Sequence, residues 1–278
     1  MERNSDAPVE CLDWLCNVSP SDSARFSVIV IAAHPDDDII GAGARLRKLR
    51  RATVLFLTDG SPRDMRDARA GGFASIRQYG EARLSEALAA LSLCGVSPTE
   101  VLSLGVPDQQ AAHSLALLSH SIASTINRLG CDIVLTHAYE GGHPDHDSAA
   151  FCAHAASALL QRAGSKPPTL IEFTSYHARG TGIETGRFLP NGGAVRVLAL
   201  APDEQHLKQA MFARHKTQCQ VLAQFSVSTE SFRLAPIYDF TNPPDAPIYY
   251  DSFDWGLKSA EWNALVSTAI HTLNLPIT

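Results

Sequence analysis

The sequence predicts an α/β fold built on a mostly parallel sheet, and three features carry that expectation. Short β-branched runs alternate along the chain with longer stretches of helical periodicity. The runs are apolar throughout rather than alternating, which suits strands covered on both faces. An apolar fraction of 45% against 19% charged residues gives the 278-residue chain ample core material and no signature of disorder.

Residues 26–33 (FSVIVIAA) predict the first strand, 39–49 a helix and 52–58 (ATVLFLT) the second buried strand. Helical spacing follows over 73–93, a short strand over 101–104, a helix over 114–129, a strand over 132–136 and a helix over 148–162. Strands at 169–175 and 194–200 and one helix at 204–225 complete the pattern. Together these predict a Rossmann-like three-layer sandwich whose site lies at the C-terminal ends of the strands. The first 24 residues, with Pro8, Pro20 and a Ser/Asp cluster, predict an irregular arm. Residues 25–278 predict one domain, with a core over 25–165 and C-terminal strands, helix and capping segment over 166–278. The Pro- and aromatic-rich stretch 226–252 predicts an ordered cap or a homo-oligomer contact rather than a linker.

A net charge of −6 argues against a nucleic-acid partner, whose phosphates call for a Lys/Arg excess. The six cysteines include no CxxC pair, and Cys94, Cys131 and Cys152 lie in or beside apolar segments, so buried free thiols are expected. The N-terminus lacks a basic segment followed by an apolar one, and no run of 18 apolar residues occurs. A soluble, cytoplasmic protein without a membrane span is therefore expected.

Two segments carry the chemistry. Ala33-His34-Pro35-Asp36-Asp37-Asp38 follows the first strand, and Gly142-His143-Pro144-Asp145-His146-Asp147 forms a loop after the fourth. If those strands are neighbours at the point where strand order reverses, the clusters face one another across a crevice. Five acids and three histidines would repel or protonate there unless a cation bound. Imidazole and carboxylate donors suit zinc, and two histidines with one carboxylate and an open position match catalytic zinc. Iron(II) accepts the same set. Asp-rich helix starts also serve as caps, but two His-Pro-Asp clusters in equivalent positions exceed what capping requires. Gly41-Ala42-Gly43 is no dinucleotide fingerprint, because Asp36–Asp38 would occupy the pyrophosphate position.

AHPDD at 33–37 and HPDH at 143–146 resemble the paired signatures of the PIG-L/LmbE-like zinc-dependent de-N-acetylases. The resemblance implies zinc ligation by His34, Asp37 and His146, with Asp36 as general base. It further implies that His143 stabilises the oxyanion and that Asp145 orients the His143 ring. Asp38 stands where the family usually has Glu. Arg83-Leu84-Ser85-Glu86 is similar to the family's Arg-x-x-Glu helix, which implies that Arg83 faces substrate, and Asp108 resembles a position that binds a sugar hydroxyl. An i,i+3 ion pair and a Pro-Asp turn are the plainer readings of these two.

Tyr139, with His137 and Glu140, could line the pocket mouth and give the substrate a hydrogen bond, or it could pack. His215, Lys216 and Gln218 resemble a family His-x-x-Gln stretch and equally read as a solvated helix face. The segments 60–72, 176–193 and 226–251 are expected to wall the pocket. The expected activity is metal-dependent removal of an N-acetyl group from an amino sugar or its conjugate, a small-molecule substrate. The alternatives are an amidase acting on a larger N-acyl conjugate and a non-catalytic sugar-binding protein that retains the metal.

Overall fold

In the computed structural model, which describes residues 7–190 and 192–276, seven strands form one sheet in the order β3-β2-β1-β4-β5-β9-β8. Strands β1 (Val28–Ala32), β2 (Ala52–Thr58), β3 (Val101–Val106), β4 (Ile133–His137) and β5 (Thr169–Phe173) are parallel. Strands β8 (Arg196–Ala199) and β9 (Thr229–Leu234) close one edge in antiparallel register. A hairpin of β6 (Tyr176–Arg179) and β7 (Gly182–Thr185) stands apart from the main sheet.

The unbroken apolar runs have a direct cause. Ile29 and Ile31 of β1 face a core shared with α5 (Leu115–Leu129), α6 (Pro144–Arg162) and α9 (Ser259–Leu273). Val28 and Val30 face a second core built with α1 (Ala7–Asn17), α2 (Asp37–Leu46) and α4 (Ile76–Cys94). Every residue of β1 and β4 is buried, because helices cover both faces. The α/β sandwich with a mostly parallel sheet is therefore present. All six cysteines are free thiols, five of them buried. No helix among the described residues is long and apolar enough to cross a membrane.

Four segments differ from the sequence expectation. The arm contains α1, whose Leu12, Trp14 and Leu15 are buried against the second core; Pro8 sits in its first turn, where a missing N–H costs nothing. The helix expected over 204–225 breaks into α7 (Pro202–Phe212) and α8 (Cys219–Leu222). Between them Thr217 donates from its backbone N–H and its hydroxyl to the Glu86 carboxylate, a tertiary contact that outweighs local helix preference. The 226–252 stretch contributes strand β9 and the core residues Tyr238 and Phe240, so it belongs to the fold rather than lying over it. The second signature is only partly a loop, since α6 starts at Pro144 and carries His146 in its first turn.

Helix α2 is kinked at Ala42 (φ −144°, ψ 20°). The freed backbone groups find buried charged partners. Lys208 of α7 donates to the Ile40 carbonyl at 2.8 Å and to Glu230 of β9 at 3.0 Å. Glu230 accepts from the N–H groups of Ala44 at 2.8 Å and Arg45 at 3.2 Å. A carboxylate at a helix start and an ammonium at a helix end both match the local dipole.

Candidate metal centre

The sheet order brings the two signatures together. Strand β1 pairs with β2 on one side and β4 on the other, so strand order reverses between β1 and β4. His34 and Asp36 lie in the turn after β1, and Asp37 opens α2. Across the crevice His143 caps α6, its Nδ1 accepting the Asp145 N–H at 3.1 Å. Pro144 at the first helical position is preorganised for that start.

Asp37 joins the trio that the signatures suggest. Its Oδ2 lies 3.1 Å from His34 Nδ1 and its Oδ1 3.2 Å from His146 Nε2. Burial works against the charged carboxyl, but the neighbouring His146 holds it well below the usual carboxylate range. Burial likewise disfavours a charged His34, yet the Asp108, Asp145 and Asp37 carboxylates around it push its pKa well above the ordinary value. The ligand-capable atoms of His34, His143 and His146, and those of Asp37, His137 and His146, each lie within 4.8 Å of one another. His146 Nδ1 is buried without a hydrogen-bond partner among the described residues. Imidazoles and carboxylates converging in a buried space fit a divalent cation.

His137 lies beneath this group rather than at the pocket mouth. It stacks on His146 with ring centroids 4.2 Å apart, and its Nε2 accepts the Ala33 N–H at 3.1 Å. Burial pushes its pKa down to about 4, so the ring is neutral. Burial also lowers His143 well below its ordinary value. With Nδ1 occupied by the Asp145 N–H, a neutral His143 carries its proton on Nε2, which faces Asp108 Oδ1 at 3.7 Å. The site thus holds one neutral donor aimed into the pocket.

Asp145 orients His143 through its backbone, not its carboxylate. The carboxylate accepts from the N–H groups of Gln109 at 2.6 Å and Ala111 at 3.1 Å and lies 3.4 Å from His34 Nε2. Gln109 is held at a left-handed φ of 67°, a local strain that this bond offsets. Asp38 is buried, and neither of its carboxylate oxygens finds a partner among the described residues; burial and the adjacent Asp36 raise its pKa well above the ordinary value.

Arg83 and Asp108 both line the pocket. Arg83 donates to Asp36 Oδ2 at 2.8 Å, and Glu86 is engaged by Thr217, so the helical Arg–Glu pair does not form. Asp108 lies 3.1 Å from His34 Nε2 instead of serving only as a turn residue. Tyr139 is not in the pocket. Its ring stacks on Trp262 and its hydroxyl donates to the Asn242 carbonyl at 2.8 Å. Glu140 is likewise structural, accepting from Ser175 N and Thr174 Oγ1.

Gln218 also lines the pocket, and the sequence does not single out the other lining residues, Ile40, Pro62, Asp67, Gln109, Tyr176, Val221, Phe225 and Trp255. Of these, Pro62, Asp67 and Tyr176 fall in the segments expected to wall the pocket. His215 is buried and Gln218 lines the pocket, so the solvated helix-face reading fails for these two and holds for the exposed Lys216. No local pattern marks an aromatic residue as pocket lining, because the path of the loop decides it.

Residues 29–157 match the family model described as PIG-L, GlcNAc-PI de-N-acetylase. No curated protein matches the chain. Among solved structures, the fold is similar to a deacetylase of the teicoplanin biosynthesis pathway at 19% identity, covering 74% of this chain and 96% of that one, with a TM-score of 0.58. It is similar to the zinc-inhibited form of a teicoplanin deacetylase at 16% identity, covering 74% and 96%, with a TM-score of 0.56. It is also similar to the N,N′-diacetylchitobiose deacetylase of Pyrococcus horikoshii at 18% identity, covering 85% and 94%, with a TM-score of 0.53. The two signatures that meet at the β1/β4 crevice both lie within residues 29–157, the stretch that matches the PIG-L family model.

Proposed function

We propose that the protein is a metal-dependent hydrolase that removes the N-acetyl group from an amino sugar or its conjugate. The observation that carries this reading is the buried His34–Asp37–His146 group, with Asp36 and the His143 Nε2–H beside it in one pocket. The structural relatives whose names describe deacetylases of glycopeptide antibiotics and of diacetylchitobiose support the substrate class. His34, Asp37 and His146 would hold the cation, zinc or iron(II) by donor type. Bound there, a divalent cation supplies a Lewis acid and makes a water nucleophilic near neutral pH.

The chain's own groups supply the rest. Asp36, held by Arg83, takes the proton of the attacking water as a C–O bond forms at the amide carbon. His143 donates from Nε2 to the carbonyl oxygen as that oxygen gains charge. When the C–N bond breaks, the proton passes from Asp36 to the departing nitrogen, leaving acetate and a free amine. Arg83 and Asp108, which both line the pocket, would position the sugar.

The test is acetate release from a panel of N-acetyl sugars and glycoconjugates by the metal-loaded protein, with Asp36→Ala as control. Release by the wild type alone supports the reading. No release across the panel would sink it.

A further inference from the structure

The main sheet ends in two edges, β3 and β8, and they are unlike. At the β3 edge the pairing with β2 breaks register between Phe56 and Thr58, and Gly105 takes a left-handed φ of 66°. Such irregularity blunts an edge against further pairing. Strand β8 has no proline, no lysine and no break in its register with β9. Leu200 donates its N–H to the Ser228 carbonyl at 2.9 Å, so Arg196, Leu198 and Leu200 turn their backbone groups toward β9. The N–H and C=O groups of Val197 and Ala199 therefore point outward, and they make no hydrogen bond among the described residues. The side chains beside them are apolar and open: Val195 is 41% and Val197 63% exposed. Both line a groove of about 410 Å³ with Phe188 and Leu189. Its two cations are already matched, Arg233 by Glu172 at 3.0 Å and Arg187 by Glu184 at 3.5 Å. Arg196, on the other face of β8, is held by Asp13 of α1 at 3.1 Å.

We propose that β8 pairs antiparallel with β8 of a second copy of the chain, about a twofold axis at Val197, so that two sheets become one. Charge and register select this occupant. With the axis at Val197, each Val197 exchanges two backbone hydrogen bonds with its counterpart, and Val195 pairs with Ala199 on either side. Every cross-strand pair in that row is small and apolar. Arg196 falls opposite Leu198, and its charge stays with Asp13. An axis at Arg196 would set two guanidinium groups directly opposite one another, an unfavourable pair. An axis at Leu198 would carry Val195 to Ala201, past the end of β8 and next to Pro202, which opens α7. The Val197 register is thus the one in which the edge complements itself in donors, acceptors and charge. A foreign strand must supply that match by its own sequence; a second β8 supplies it by symmetry.

The test is the mass of the full chain by light scattering, at concentrations from about 1 µM to about 1 mM. The wild type should rise from one chain to two. Val197→Pro removes an outward N–H that β9 does not use, and edge strands accept proline there. Val197→Lys sets two ammonium groups together at the axis. Each should raise the dimer dissociation constant more than about tenfold and leave the far-ultraviolet circular dichroism unchanged. In the wild type, hydrogen exchange at the Val197 and Ala199 amides should slow as concentration rises, while the Gly105 amide at the other edge keeps its rate. If Val197→Pro fails to fold, Val197→Lys and the wild-type exchange decide the matter. A wild type that stays monomeric throughout overturns the proposal, whatever other strand the edge accepts. So does a dimer that tolerates Val197→Lys, or one that leaves exchange at Val197 and Ala199 unchanged.

Discussion

Arg83 ties Asp36 to the loop that follows β2: its Nη2 donates to Asp36 Oδ2 at 2.8 Å while its Nη1 donates to the Gly60 carbonyl at 2.6 Å. A planar guanidinium makes both bonds at once; a lysine ammonium keeps the charge but not the fork. Arg83→Lys should therefore lower kcat about 10- to 100-fold by misplacing Asp36. Metal content, measured by atomic emission, should be unchanged. Asp36→Asn should cost about 10²–10⁴ in kcat, and a smaller loss than Arg83→Lys would show that Asp36 is not the base.

His146 and His137 stack as neighbours but differ in what their nitrogens can do. The His137 lone pair is committed to the Ala33 N–H, whereas His146 Nδ1 has no partner. His146→Ala is expected to abolish stoichiometric metal binding. His137→Gln, which can still accept from Ala33, should bind one equivalent with affinity reduced no more than about 10- to 100-fold. Calorimetric titration with zinc distinguishes the two, and the reverse order would reassign the ligands.

Two glycines near the site should respond oppositely to alanine. A Cβ on Gly142 would run into the Tyr176 carbonyl, a backbone atom that cannot swing aside. Gly142→Ala should cost about 1–3 kcal/mol of stability and displace both His143 and Tyr176. A Cβ on Gly43 meets Ile39 and Met211 at 3.5 Å, an ordinary contact. Gly43→Ala should be neutral or gain up to about 1 kcal/mol. Urea unfolding of both variants checks the pair.

His154 supplies a pH dependence separate from the candidate metal centre. It packs beside Tyr238 and Phe240, its Nε2 is buried without a partner, and burial lowers its pKa from 6.5 to about 4. The unfolded chain takes up a proton below about pH 6.5 that the folded protein refuses until about pH 4. Stability present above the unfolded pKa is thus lost as pH falls through this window, by up to ~1.4 kcal/mol per unit. His154→Phe should lose less stability than the wild type between about pH 7 and about pH 5; identical losses would remove His154 from the account.

The parallel strands and the two signatures were legible in the sequence because each is written locally. β1 and β4 are apolar on both faces, and His34, Asp36, Asp37, His143 and His146 fall within two six-residue segments. Strand β9 was not legible, because its buried Glu230 and Arg233 are charge-matched by Lys208, Arg45 and Glu172, all outside the strand. Asp145 was assigned to the His143 ring, but its carboxylate goes to the backbone of Gln109 and Ala111, which only the folded chain brings close. Tyr139 follows β4 at the right place for a pocket residue, and the packing of α9 against it, through Trp262 and Asn263, takes it inward.

The clamp on the kink in α2 has a consequence for how the protein can change. Lys208 and Glu230 hold the helix that begins with Asp37, and both come from beyond the matched stretch 29–157. Phe225 and Trp255, from the same later part of the chain, wall the pocket. Grafting residues 29–157 alone onto another scaffold would carry every proposed ligand but leave α2 without its buried counter-charges. Substitutions that reshape the pocket then fall within the same stretch of chain that steadies the helix begun by Asp37, so gains in specificity there compete with stability.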